Sequence, residues 1–96
     1  MLPIVWLASA AEDLEGIITY IAEVNPTAAR KLKHRLEDVL LPLSEHPYLH
    51  RPSDRVQGLR ELVAHPNYVL IYRVAVASIE VVNVIHARQE YPPIKK

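Results

Sequence analysis

The chain has 96 residues, half of them hydrophobic and 23% charged, with eleven basic side chains balanced by eleven acidic ones. A domain of that size buries roughly 60–70% of the surface its unfolded chain would expose, which leaves room for one core. This composition suggests neither disorder nor a membrane class, no apolar run reaches the roughly 20 residues of a membrane-spanning helix, and zero net charge removes the long-range positive field of proteins that bind phosphate backbones while leaving room for a local basic patch.

Cysteine is absent. That rules out a disulfide framework and thiolate metal sites, and makes an intracellular, cytoplasmic chain the simplest expectation. The opening MLPIVWLASAAEDLEG mimics a signal peptide in its apolar run and Ala-Ser-Ala triplet but has no Lys or Arg before the run, so it reads as mature protein.

Pro3 to Leu7 is long enough for a strand and too short for a helix. Ser9 stands three residues before Glu12, the capping-box spacing, and predicts a helix start there. Leu14, Ile17, Ile18 and Ile21 form one face of that helix, and Glu12, Asp13 and Glu15 read as solvated first-turn acids that favour the positive end of its dipole. Asn25 as cap and Pro26 at the first helical position open a second helix after a very short junction. Its apolar stripe runs through Ala29, Leu32, Leu36, Val39, Leu40 and Leu43, with Pro42 expected to kink or end it. The outer face carries Arg30, Lys31, Lys33, His34 and Arg35, but Glu37 and Asp38 follow, which favours a solvated mixed-charge face over a nucleic-acid patch.

From Ser44 to Gly58 the pattern breaks into a loop. His46 and His50 are four apart, yet Pro47 lies between them and no third ligand follows at a recognised spacing, so no metal is implied. Three β-rich runs close the chain, Leu59 to Ala64, Tyr68 to Val74 and Ile79 to Ile85, with turns at His65-Pro66-Asn67 and near Val76-Ala77. Symmetric closure of the second turn sets Arg73 opposite Glu80. Both faces of the last two runs are apolar, more than one helical hairpin can cover. The loop, the C-terminal tail or another chain must cover the rest, and a tight protein partner is the reading that follows. Trp6 is assigned to the core.

The segments Gly58-Leu59-Arg60-Glu61-Leu62, Asn67-Tyr68 through Tyr72-Arg73-Val74, and Val84-Ile85-His86-Ala87-Arg88 followed by Tyr91-Pro92 resemble, in order and spacing, the ParE/RelE superfamily of toxins from bacterial type II toxin–antitoxin modules. The resemblance covers nearly the whole chain. It implies a single α+β domain of order β-α-α-β-β-β, with the N-terminal strand and helical hairpin packed on one face of an antiparallel sheet, and a cognate antitoxin that binds and neutralises it in a hetero-oligomer. ParE-like members poison DNA gyrase without catalytic residues of their own. RelE-like members cleave mRNA on the ribosome. In the second case Arg60 and Arg73 would hold phosphate charge, His86 would act as acid or base, Arg88 would stabilise the transition state, and Tyr91 would stack or transfer a proton. In the first, the same five residues are contact residues.

Three features weigh against cleavage: the lysine pair of the RelE pattern is missing before the second strand, Gln89-Glu90-Tyr91-Pro92-Pro93 follows Arg88 where that pattern is more basic, and net charge is zero. The expectation is therefore a gyrase-directed toxin, with an mRNA endonuclease and a non-toxic binding domain as alternatives. No cofactor is implied, and no membrane contact.

Overall fold

The computed structural model describes residues 1–92. Strand β1 (Ile4–Trp6) leads into helices α1 (Ala8–Ala22) and α2 (Pro26–Asp38), then a short 3-10 helix (Leu41–Ser44), a long loop, and strands β2 (Arg60–His65), β3 (Tyr68–Val74) and β4 (Ile79–His86). The strands form one sheet in the order β1-β4-β3-β2. The last three are antiparallel, with Arg73 opposite Glu80 as the turn predicts. Strand β1 is a member of the sheet rather than a layer on its face, and it pairs parallel to β4 at the edge. A parallel neighbour needs a long crossover, which the two helices and two further strands provide.

Asn25 caps α2, accepting from the Ala28 N–H at 3.1 Å, and Pro26 opens it. Helix α2 ends at Asp38, and Pro42 sits at the start of the 3-10 helix, where it lacks only an N–H that the helix does not need. Helix α1 departs from expectation. It begins at Ala8, Leu7 is its cap residue, and no side chain caps it. Ser9 instead donates to the Val82 carbonyl at 2.5 Å. Asp13, read as a solvated acid, accepts the Val84 N–H at 3.0 Å and the Asn83 side-chain N–H at 2.8 Å.

The reason lies in the sheet. Strand β1 is three residues long and β4 eight, so β1 pairs only with Ile79, Glu80 and Val81, and β4 runs on with an open edge. Unpaired strand groups beside a packed helix must find partners. Ser9 and Asp13, one helical turn apart, supply them. A bulge occurs where this replacement starts: Ile71 pairs with Asn83 and Tyr72 with Val81, leaving Val82 extra. The bulge flips the alternation, so Ile79 and Val81 before it and Val84 after it all enter the helix-side core.

That core holds Leu14, Leu32, Leu36, Leu40, Leu43, Leu62, Leu70 and Tyr72, with Trp6 partly buried at its margin. A second cluster on the far face consists of Val69, Ile71 and Ile85, packed by Leu59, Val82, Ala87 and Tyr91. Of the three possible covers for this face, the chain's own residues provide one. Val69, Ile71 and Ile85 are no more than 4% exposed, so the doubly apolar sheet does not by itself demand another chain. Asp13→Ala, which leaves a strand N–H and an amide unpaired, is expected to lower the unfolding free energy by about 1–3 kcal/mol in urea titrations. Glu12→Ala at the exposed neighbouring position is expected to stay within about 0.5 kcal/mol of the parent.

Candidate functional site

The five residues singled out from the sequence fall at different places on the sheet. Arg60 starts β2 opposite Tyr72, and Arg73 follows Tyr72 on the other face, where it pairs with Glu80. His86 ends β4 opposite Tyr68. Four to five positions of β3 lie between these ends, or roughly 13–17 Å at about 3.3 Å per residue.

At the first end, the Arg60 guanidinium lies 4.7 Å from the centre of the Tyr48 ring and donates to the His50 carbonyl at 2.6 Å. The Tyr72 hydroxyl donates to the Pro47 carbonyl at 3.3 Å, and the His50 ring meets the Tyr72 ring edge to face at 6.5 Å. Strand ends thus hold the loop over residues 47–50 from beneath. Burial raises the Tyr72 pKa, against the opposing pull of the His50 main chain and the Arg60 charge, and burial lowers that of His50.

At the far end, His65, Tyr68 and His86 form an aromatic row, each imidazole 5.7 Å from the Tyr68 ring. Each histidine is tied to its own turn. His65 Nδ1 accepts the Asn67 N–H at 3.0 Å and His86 Nδ1 the Arg88 N–H at 3.2 Å, while Gln89 Oε1 accepts the His86 N–H at 3.1 Å. His86 and Arg88 are exposed.

Tyr91 belongs to neither end. Its hydroxyl donates to Asn83 Oδ1 at 2.8 Å, completing a chain from Asp13 through Asn83 that fastens the C-terminal segment over the second cluster. Burial first, and then the Asp13 and Glu61 charges, push its pKa up. Glu61, 6% exposed, accepts from Ser53 Oγ at 2.6 Å and pairs with Arg55 at 3.6 Å; Arg55 also reaches the Gln89 carbonyl at 3.5 Å. This network escaped the reading of the sequence. The one available signal was an acid at an inward position of an apolar strand run, which requires a partner.

The geometry holds Arg60 beside a loop and His86 beside a turn, too far apart to act on one phosphate. Among the described residues no three His, Asp or Glu side chains are grouped to hold a metal ion.

Residues 4–91 match the family model described as the ParE toxin of type II toxin–antitoxin systems. The chain is 37% identical over 87 residues to a Caulobacter vibrioides protein named Toxin RelE2, covering 91% of this chain and 97% of the relative. It is 34% identical over 90 residues to a putative toxin of Sinorhizobium fredii, covering 93% of this chain and 92% of that one. Its fold matches a chain of the chromosomal ParDE system of P. aeruginosa with a TM-score of 0.78 at 24% identity, over 90% of this chain and 96% of that one.

Tyr91→Phe tests the fastening of the C-terminal segment. The parent is expected to exceed the variant by about 0.5–1.5 kcal/mol at pH 8, the worth of one hydrogen bond. A raised phenol pKa favours the neutral form in the folded state. Its contribution is therefore complete below about pH 10 and is lost as pH climbs through the folded value. The gap between parent and variant should narrow above pH 10 in urea titrations run from pH 8 to 11.

Proposed function

Because this chain belongs to the ParE toxin family of type II toxin–antitoxin systems, we propose that the toxin acts in the cytoplasm by poisoning DNA gyrase and is silenced when its cognate antitoxin binds. The observation that carries this reading is the separation of Arg60 and Arg73, at one end of β3, from His86 and Arg88, at the other. An RNA-cleaving site needs phosphate-binding cations, a base and an acid within reach of one scissile bond. Here Arg60 and Arg73 lie at one end of β3 and on opposite faces, His86 lies at the other end, and the Tyr91 hydroxyl is engaged with Asn83. A poison of a topoisomerase needs no such convergence, since its target makes and reseals the breaks. Arg60, Arg73, His86, Arg88 and Tyr91 are then contact or scaffold residues.

The second reading, ribosome-dependent mRNA cleavage, is favoured by one finding, the name of the Caulobacter relative. Parallel assays on the purified chain separate the two. Inhibited gyrase supercoiling with trapped, cleaved DNA and intact mRNA is the expected result. Codon-positioned cuts in mRNA on translating ribosomes, with gyrase unaffected, would overturn it.

A further inference from the structure

We infer that the rim formed by Tyr48, Leu49 and the Arg60 guanidinium is the surface that grips the target protein, with Arg60 receiving a carboxylate from it; the assignment rests on the gyrase reading above. Tyr48 is 65% and Leu49 58% exposed, two large hydrophobic side chains side by side on a loop. The backbone beneath them is pinned: the Leu49 N–H donates to the His46 carbonyl at 3.1 Å, Tyr72 holds the Pro47 carbonyl, and Arg60 holds that of His50. Side chains presented on a fixed backbone lose little further freedom on binding.

Arg60 supplies the charge. Arg51, Arg55 and Arg73 each have a carboxylate within 4.0 Å, whereas Arg60 has none among the described residues. It is half-buried, stacked on Tyr48, and opens into a recess of about 190 Å³ walled by Pro52, Gly58, Leu59 and Val74. Gly58 turns the chain at φ +87°, a left-handed conformation that brings the recess wall round to β2. One Nη group is spent on His50, so the rest of the fork can take a carboxylate oxygen pair. Tyrosine and arginine are also the residue types that carry most interface energy. A phosphate backbone fits less well, because successive phosphates call for several free cations and no lysine lies between Lys33 and Lys95.

The test uses the full chain against purified DNA gyrase. Tyr48→Ser with Leu49→Ser changes only exposed side chains and is expected to raise the concentration for half-inhibition of supercoiling by about ten-fold or more. Arg60→Lys, which keeps the charge and loses the planar fork, is expected to weaken inhibition by several-fold. Tyr20→Ser with Val24→Ser, a still more exposed hydrophobic pair on the helical hairpin, serves as the control and should leave inhibition unchanged. Full potency in the Tyr48/Leu49 variant, or an equal loss in the control, overturns the assignment while the gyrase reading stands. Binding to a DNA duplex without gyrase that Arg60→Lys retains and Arg60→Gln abolishes would make Arg60 a phosphate ligand and overturn it too. A parent chain that leaves gyrase untouched removes the gyrase reading, and this surface with it.

Discussion

Strand β1 matches only three of the eight residues of β4, and the remaining edge of that strand is completed by side chains of the following helix. Most of the architecture follows from this shortage. Ser9 and Asp13 stand where a longer β1 would have put its main chain, so α1 must lie along the edge of β4 and cannot slide or rotate without stranding the Val82 carbonyl and the Val84 N–H. The bulge at Val82 adjusts the alternation so that both halves of β4 still feed the helix-side core. Asp13 reaches the other face as well. Through Asn83 it connects to Tyr91, and so the helix layer, the sheet and the C-terminal segment are joined by a single carboxylate.

The two ends of β3 serve different purposes. One carries a firmly held loop with a cation and two apolar side chains at its rim, and the other an aromatic row whose imidazoles are committed to local turns. Polar groups between them are spent on one another: Ser53 and Arg55 on Glu61, Asn83 on Tyr91 and Asp13. Such an arrangement accords with the proposed gyrase reading, in which these residues serve as contacts or scaffold.

Much of this was legible in the residues. Period located both helices, with the Asn25 cap and Pro26 marking their junction, and β-branched runs located three strands, with Tyr68–Val74 read to the residue. Turn closure gave the Arg73–Glu80 pairing. What escaped in the first helix was long-range by nature. Ser9 has the spacing of a local cap, and Asp13 that of a first-turn acid; both bonds that displaced those roles join residues about seventy positions apart. Local periodicity carries no information about an edge that another strand leaves open. The far face of the sheet escaped for a different reason. Its apolar pattern was plain, but whether Tyr91 and Ala87 would fold back over it depended on a hydrogen bond from Tyr91 to Asn83, only eight positions away, of a kind that hydrophobic periodicity does not report.

The outer edge of β2 carries one more consequence. Main-chain bonds from Glu61 to Arg51 and from Ser53 to Leu59 cover its beginning, and Arg35 of α2 donates to the Ala64 carbonyl at 2.8 Å near its end. Only the stretch around Val63 faces solvent, too short to template an incoming strand of several residues. With this border blunted and that of β4 sealed by the side chains of Ser9 and Asp13, the chain without a partner is protected against pairing edge to edge with its own copies.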